Sequence, residues 1–483
     1  MNVLMLNPPF HYKFSSTSRS PAVTKGATLY YPIWLAYAAG VLEQYGFNVK
    51  LIDAPAKGLT KKNILELVKE FKPKLTVVYT TTPSINNDLE VVNEIKKSLP
   101  ETFTLMAGTH VSAEPEQSMK KSTGLDAIAR KEFDFIARDL AVALRDNKDW
   151  KKIKGLTFKE KGKIVSNSDY PFIQELDSLP FVSEVYKKHL NIEDYFYSAN
   201  LYPEVTIVSG RGCMFKCKFC VWPQTLFSRE YRARSVDSLI AEFEFIKKNF
   251  LKAKEIFIED DTFTLNKQRV QEFCKKLIEK KLKITWSCNA RADVDLETLK
   301  LMKKAGCRLL CVGVESGSQE ILNNIRKGTT LDKIRQFMKD SKKAKILVHG
   351  CFMLGNQGET SETIKQTVKF ARELNPDTAQ FFPLMVYPGT ETFEWAKQNG
   401  FLISNDYSKW VDEKGMHNCM VSRPGLTNKQ LVEFCDQARL DFYLRPKYMI
   451  AKGLQVFAHP RELPRILKAS KTFLKHLTKR RKK

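Results

Sequence analysis

The chain has 483 residues, 43% of them hydrophobic and 11% aromatic, and its formal net charge is +25 at pH 7. This length is too great for one ordinary hydrophobic core, so we expect two or three domains, and the apolar content excludes a chain that is disordered throughout. Ten cysteines, most of them isolated in the sequence, argue against a disulfide framework and favour a reducing compartment.

Two features of the sequence predict a cytoplasmic protein without a membrane-spanning helix. The N-terminal MNVLMLNPPF has neither the basic start nor the long apolar stretch of a signal peptide. The apolar run at residues 29–42 has 14 residues, fewer than the roughly 20 that span a bilayer.

Residues 1–150 alternate apolar β-type runs with helical patterns, which is typical of a parallel doubly wound sheet of the Rossmann type. The predicted strands are 3–8, 48–54, 75–81 and 103–109, and the predicted helices are near 33–45, 60–71 and 84–97. Ligands of such sheets bind beyond the carboxyl ends of the strands. The residues there are small or polar and suit a large flat ligand, with these candidates: Thr81, Ser84, Gly108 and His110.

Residues 151–200 are interpreted as a connector between two domains. The segment KGLTFKEKGKIVSNSDY has the pattern of a β-hairpin with Gly162 at the turn, and the polar, proline-containing ELDSLPFVSE follows it. We therefore predict the domain break in this segment.

Three cysteines, Cys213, Cys217 and Cys220, have the spacing C-x3-C-x2-C directly after a β-type run. Three thiolates there can converge on one metal centre. A structural zinc ion normally has four ligands, and no second Cys or His pair follows within about twenty residues. A [4Fe–4S] cluster held by three cysteines would instead keep one iron open to an outside ligand. Zinc binding, or three merely buried cysteines, remains the alternative at this point.

From residue 201 to 395 the alternation of strand and helix resumes with longer spacing. The predicted strands are near 204–210, 255–260, 284–289, 308–314, 346–354 and 378–387. Six βα units predict a partial (β/α)6 barrel, and the chemistry of parallel barrels lies at the carboxyl ends of the strands.

The cysteine segment RGCMFKCKFCVWPQ resembles that of the radical SAM enzymes with an N-terminal B12-binding-type domain. The resemblance covers roughly residues 1–400. It implies that Cys213, Cys217 and Cys220 hold a [4Fe–4S] cluster and that S-adenosylmethionine (SAM) binds the fourth iron. Reductive cleavage of SAM then gives a 5′-deoxyadenosyl radical that abstracts hydrogen. An electron donor such as flavodoxin or ferredoxin is implied as a partner.

The same resemblance implies contacts to SAM at the barrel's strand ends. A dipolar methionine moiety and a ribose diol need carboxylates and a cation, although a polar residue at a strand end is often only a helix cap. The predicted cofactor contacts are Phe219 and Trp222 near the adenine, then Asp260, Arg291, Glu315, Ser316 and Gly355.

Cobalamin is a further implied cofactor of the first domain, near Thr81, Ser84, Gly108 and His110. Many B12-binding domains carry D-x-H-x-x-G, whose His binds cobalt. Residues 53–58, DAPAKG, have this frame without the His, so we expect any cobalamin to lack a protein His ligand. A domain kept only for its structure or for substrate binding is the alternative.

The stretches YPIWLAYAAG and LIDAPAKGLT are similar to those of hopanoid and related lipid-pathway members and of the anaerobic magnesium-protoporphyrin cyclases. We therefore expect modification of a small-molecule, lipid or lipid-linked sugar substrate, such as a radical ring contraction to a cyclitol. The alternative is a cobalamin-dependent C-methyltransferase or cyclase. A basic, zinc-bearing nucleic-acid-binding protein is the non-enzyme hypothesis, and we expect no nucleic acid.

Residues 396–483 are predicted to be mainly helical, with helix patterns at 392–399, 427–445 and 461–478. The segment 461–483 has ten Lys or Arg against one acidic residue, with an apolar stripe. This pattern predicts peripheral contact with the inner membrane surface, or else a packed terminal helix. The remaining cysteines are interpreted as small buried residues: Cys274, Cys288, Cys307, Cys311, Cys351, Cys419 and Cys435.

Overall fold

The computed structural model describes residues 1–458 and Leu463. Its first part is an α/β unit. The elements of this unit are β1 (Asn2–Asn7), α1 (Ile33–Gln44), β2 (Asn48–Asp53), α2 (Ala54–Lys57), α3 (Lys61–Phe71), β3 (Leu75–Thr80), α4 (Ile85–Ser98), β4 (Phe103–Gly108), α5 (Thr109–Ala113), α6 (Pro115–Lys121), β5 (Ala127–Ala129), α7 (Asp134–Arg145), β6 (Leu156–Glu160) and β7 (Lys163–Ser166).

The first sheet has the strand order β2-β1-β3-β4-β5-β6-β7. Strands β1 to β5 are parallel, and every residue of β3 is buried, as expected of a strand covered by helices on both faces. The predicted Rossmann-like sheet is therefore confirmed. The hairpin β6–β7 pairs antiparallel to β5, so the sheet extends past residue 150, and we propose that the first domain ends after Ser166.

The second part of the chain begins with a connecting helix and forms a larger α/β unit. Its elements are α8 (Val182–His189), β8 (Glu204–Ile207), β9 (Gly210–Arg211), α9 (Trp222–Thr225), β10 (Arg232–Ala233), α10 (Val236–Asn249), β11 (Glu255–Ile258), α11 (Lys267–Glu279), β12 (Trp286–Ala290), α12 (Leu296–Lys304), β13 (Cys307–Glu315), α13 (Gln319–Asn324), α14 (Leu331–Lys343), β14 (Leu347–Leu354), α15 (Ser361–Leu374), β15 (Thr378–Pro383), α16 (Glu391–Gln398), α17 (Asn428–Tyr443) and α18 (Pro446–Ala458).

The second sheet is parallel, with the order β15-β14-β13-β12-β11-β8. All six strands lie where the sequence predicts them. Helix α17 covers the edge strand β15, and the Tyr443 hydroxyl accepts a hydrogen bond from the Ala379 N–H (2.9 Å) and donates one to the Ala379 carbonyl (2.7 Å). This contact satisfies backbone groups of an edge strand that would otherwise be open.

The two sheets are joined by contacts from helix α1 and from the start of α7. The Tyr31 and Tyr37 hydroxyls donate to the carbonyls of Glu204 and Val208 at 2.6 and 2.9 Å. Arg211 of β9 forms a buried, two-pronged ion pair with Asp134, at 2.8 and 3.0 Å. These contacts place the first sheet against the loop that carries the three clustered cysteines.

The C-terminal region contains helices α16, α17 and α18, and residues 399–427 between α16 and α17 are mostly irregular. Helices α16 and α17 agree with the predicted helices at 392–399 and 427–445, and α18 begins at Pro446, which starts a helix without loss of a needed N–H. Within residues 1–458, no helix combines the length and apolar character needed to cross a membrane. The predicted basic amphipathic helix at 461–478 lies outside the described residues apart from Leu463.

Glu204 of β8 makes stability depend on pH. Burial raises the pKa of its carboxyl group to about 8, despite hydrogen bonds from Thr206. A carboxyl pKa above its unfolded value stabilises the fold most at low pH, and this contribution is lost as the pH rises through about 8. We expect Glu204→Gln to make the free energy of unfolding depend less on pH between about pH 5 and about pH 8, as measured by urea denaturation. The exposed Glu90→Gln is the control, and parallel pH curves for Glu204→Gln and wild type would contradict this assignment.

Candidate active site

The three clustered cysteines lie in the loop between β9 and α9. Gly212, immediately before Cys213, has a φ of +86°, and a Cβ there would lie 2.0 Å from the Glu230 carbonyl oxygen. Only glycine fits this close approach. None of the three cysteines is in a disulfide, and Cys217 is buried while Cys213 and Cys220 are half-buried. The loop therefore presents three reduced thiols close together.

All three thiols line a cavity of about 830 Å³, which we call the central cavity. Its walls come from the β1–α1 loop, from the carboxyl ends of β11 to β15, and from α17 and α18. Its size falls within the range of small-molecule sites in proteins, about 300–1,000 Å³. The strand ends that the sequence predicts as the site of chemistry therefore surround one cavity.

Two cations flank the thiols. Arg19, from the β1–α1 loop, pairs with Glu259, donates to the Asp260 carbonyl at 3.1 Å and lies 3.9 Å from the centre of the Trp222 ring. Lys327 donates to Glu315 at 2.8 Å, and this carboxylate holds the lysine pKa above its usual value although burial alone would lower it. Both cations offset negative charge that three thiolates would bring into the cavity.

The thiols themselves are poorly solvated. Burial raises the pKa of Cys213, and it raises that of Cys220 further, where the Asp261 carboxylate adds to the shift and Arg19 opposes it. A buried thiolate is costly without a compensating positive charge, and a metal centre supplies that charge when the ligands deprotonate. Three reduced thiols beside two cations fit a metal–sulfur cluster better than they fit isolated, structural cysteines.

Arg291 is held rigidly at the end of β12. Its guanidinium group lies 3.5 Å from the centre of the Phe215 ring, inside the cysteine loop. It donates to the carbonyls of Lys327 and Gly328 at 2.6 and 3.2 Å. Arg291, Glu315 and Phe219 all line the central cavity, and their contact with SAM remains a prediction.

Four other predicted SAM contacts lie behind the cavity wall, which corrects the sequence-based list. Asp260 is buried and accepts from the N–H and hydroxyl of Ser209, at 2.6 and 2.7 Å, so it fixes the end of β8. The Ser316 hydroxyl forms a hydrogen bond with the Thr367 hydroxyl. Gly355 packs against Leu431, and a Cβ built on Gly355 would lie 2.9 Å from the Leu431 side chain. Trp222 packs edge-on to Trp34, at 5.1 Å between ring centres.

The structure also brings forward site residues that sequence reasoning missed. Glu259 and Asp261 line the cavity where Asp260 does not. The sequence could have indicated that Asp260 faces away from its two neighbours, because the side chains of successive residues in an extended chain point to opposite sides. No local sequence pattern indicated Arg19 or Lys327 as site residues. Arg19, for example, lies 240 residues from its partner Glu259 in the sequence.

The predicted ligand-binding residues of the first sheet are enclosed. Thr81 and Ser84 bond each other at 3.0 Å, and Ser84 also donates to Asp88 at 2.6 Å. His110 is buried, with its Nδ1 atom 3.2 Å from the Thr82 hydroxyl and its ring 4.7 Å from that of Tyr407. Burial lowers the pKa of His110 to about 3, so its imidazole is neutral.

Gly108, the last residue of β4, is the fourth of these predicted ligand-binding residues. Its φ is +129°, and a Cβ there would lie 2.1 Å from the Thr80 carbonyl oxygen, so β4 turns into α5 directly against β3. Among the residues that the structure describes, none of the four predicted first-sheet contacts lines the central cavity.

Comparison with known proteins identifies the family. The Radical SAM superfamily model matches residues 207–371, and the B12 binding domain model matches residues 19–141. The uncharacterized methyltransferase PH0819 of Pyrococcus horikoshii is 32% identical over 460 residues, which are 95% of each chain. The anaerobic magnesium-protoporphyrin IX monomethyl ester cyclase of Rubrivivax gelatinosus is 28% identical and aligns with 82% of this chain and 70% of that protein.

The fold has a solved counterpart. The radical SAM methyltransferase TsrM of Kitasatospora setae, with cobalamin and a [4Fe–4S] cluster bound, superposes with a TM-score of 0.72 at 18% identity, over 98% of this chain and 99% of that one. The chain belongs to the radical SAM superfamily and carries a B12 binding domain. It is therefore an enzyme, and the predicted [4Fe–4S] cluster and SAM are its cofactors.

The residues differ in how well they fit the two metal cofactors. Three reduced thiols that line one cavity beside Arg19 and Lys327 fit the cluster. The four residues predicted for cobalamin do not fit a corrin ring in this structure, because they are buried, bonded to neighbours or packed against Tyr407. The B12 binding domain match supports cobalamin as a cofactor, and the residues that would contact it remain a prediction.

Proposed function

We propose that the protein is a radical SAM methyltransferase that acts on a small molecule bound in the central cavity. The observation that carries this proposal is the central cavity lined by all three clustered thiols and by polar groups from the strand ends. Methyl transfer is favoured over other radical reactions because PH0819, a methyltransferase by name, aligns with 95% of this chain.

In this proposal Cys213, Cys217 and Cys220 hold the cluster. When bound, the cluster supplies the electron that cleaves SAM. Arg19 and Lys327 offset the charge of the thiolates, and their buried pairs with Glu259 and Glu315 fix them there. Those same carboxylates, with Asp261, are acceptors suited to the ammonium and hydroxyl groups of SAM.

Other side chains position the site or exclude water from it. Arg291, stacked on Phe215, keeps the cysteine loop against the end of β12, and Phe219 supplies an apolar face in the same loop. The Tyr387 hydroxyl forms a hydrogen bond with the Ser20 hydroxyl, 3.1 Å away. This bond joins the loop after β15 to the β1–α1 loop. This contact closes the cavity on the side of the first domain.

The reaction, the substrate and the partners predicted from the sequence have unequal support. Methylation, the alternative to ring contraction of a lipid-linked sugar, has the better support, because PH0819 is a methyltransferase by name. A small-molecule substrate is consistent with the cavity. A flavodoxin or ferredoxin as electron donor and a peripheral membrane contact through residues 461–483 remain predictions.

Isotope transfer tests the proposed reaction. The reconstituted enzyme is incubated anaerobically with reductant, trideuteromethyl-labelled SAM and the small-molecule fraction of a cell extract. We expect a product in which a trideuteromethyl group replaces one hydrogen of the substrate, measured by mass spectrometry. The Cys217→Ala protein, which should not assemble the cluster, is the control.

Parallel reactions with and without added methylcobalamin show whether the corrin is needed. Release of 5′-deoxyadenosine together with an unlabelled, isomeric product would contradict methyl transfer and favour a rearrangement. Absence of both 5′-deoxyadenosine and labelled product under every condition would contradict the cluster assignment as well.

A further inference from the structure

A second group of metal-binding side chains lies inside the barrel, apart from the cysteine loop. Cys311 of β13 pairs in register with His349 of β14, and Cys351 is two residues further along β14. Because side chains alternate along a strand, all three point to the same face of the sheet. Their ligand atoms lie within 4.8 Å of one another, and all three residues line the central cavity.

This spacing suits a tetrahedral zinc ion. Zinc–sulfur bonds of about 2.3 Å with tetrahedral angles place two thiolates about 3.8 Å apart. The separation in the protein is at most 4.8 Å, so small side-chain rotations would close the site. Two thiolates and one imidazole select zinc over hard ions such as magnesium or calcium.

The neighbours of these side chains match those of metal ligands in proteins. The Nδ1 atom of His349 lies 2.7 Å from the hydroxyl of Thr378, and metal-binding histidines usually have such a partner on the nitrogen that does not bind the metal. The Tyr197 hydroxyl lies 2.8 Å from the Cys311 sulfur, where it would donate to a thiolate. Both partners would hold their ligands in place.

Charge supports the same assignment. Cys311 and His349 are buried, and Cys351 is half-buried. A lone thiolate there would be costly. One zinc ion with two thiolates and a neutral imidazole has no net charge, so the ion removes this cost.

We propose that Cys311, His349 and Cys351 bind a zinc ion in the wall of the central cavity. Three protein ligands leave a fourth position open, as in catalytic rather than structural zinc sites. Because the three residues line the cavity, this position faces the substrate. It would take an anionic or thiolate group of the substrate and thereby orient it. The site does not depend on whether the radical reaction is a methyl transfer.

Zinc content and zinc spectroscopy of the full-length protein with its reconstituted cluster test the proposal. The protein is incubated with zinc chloride, dialysed, and analysed for zinc and iron. We expect one tightly held zinc per chain, and an X-ray absorption spectrum with two sulfur ligands at about 2.3 Å and one nitrogen at about 2.0–2.1 Å. Cys311→Ser/Cys351→Ser should lose this zinc and keep its iron.

Two control variants make the result specific. Cys435→Ser removes another buried thiol of the same cavity and should retain zinc. Cys217→Ala should lose iron but retain zinc, which separates the proposed site from zinc bound by the cysteine loop. Retained zinc in Cys311→Ser/Cys351→Ser, no zinc in the wild type, or a disulfide between Cys311 and Cys351 would overturn the proposal. All of these readouts are independent of methyl transfer, so either proposal can fail alone.

Discussion

Replacement of Cys217 by alanine is expected to abolish reductive cleavage of SAM. Cys217 is a buried residue whereas Cys213 and Cys220 are half-buried, and it lines the central cavity together with Lys327. With only Cys213 and Cys220 left, two irons of the cluster would lack a protein ligand, because one iron is already open for SAM. Such a cluster should not persist. We expect iron content and 5′-deoxyadenosine release to fall to background, measured by iron assay and chromatography.

A matched substitution separates this effect from damage to the fold. Cys274→Ala removes a buried thiol on α11 that does not line the central cavity. Since a free buried cysteine packs as a small apolar group, both variants should keep the wild-type circular dichroism spectrum. Cys274→Ala should also keep its iron and its activity. Formation of 5′-deoxyadenosine by Cys217→Ala would refute the assignment of the cluster to this loop.

The sequence predicted the strands well because their signal is local. The apolar run at 75–81 becomes β3, whose residues are all buried, and the run at 346–354 becomes β14. The cysteine triplet was equally visible, because its three ligands fall within eight residues. Local patterns of this kind need no knowledge of the tertiary fold.

Contacts between residues far apart in the sequence could not be predicted from local patterns. Arg19 reaches Glu259 only because the β1–α1 loop folds over the second sheet. The tight contact of Trp222 with Trp34 depends on the same interface, so a residue expected near adenine became part of the core. Likewise Cys311 and Cys351, interpreted as small buried residues, meet His349 only through the register of β13 with β14.

Loss of the Arg211 charge is expected to destabilise the protein strongly. The Arg211 side chain is 1% exposed and that of its partner Asp134 is 4% exposed. Removing one member of such a pair leaves the other charge buried and unpaired, which typically costs about 3–5 kcal/mol. We therefore expect Arg211→Met to lower the free energy of unfolding by about this amount, measured by chemical denaturation. Gly212 and Cys213 follow directly, so iron content should fall as well.

A double-mutant cycle and an exposed pair serve as controls for this prediction. Arg211→Met/Asp134→Leu removes both charges and should recover a large part of the lost stability, because Asp134 is no longer unpaired and Glu132, 3.5 Å from Arg211, keeps its pair with Arg232. Lys252→Met breaks an exposed pair with Glu193 and should cost less than about 1 kcal/mol. If Arg211→Met were no more destabilising than Lys252→Met, the buried pair would not hold the cysteine loop to the first domain. If the double variant were as unstable as Arg211→Met, the lost stability would come from packing around Trp34 and Tyr37 rather than from the unpaired charge.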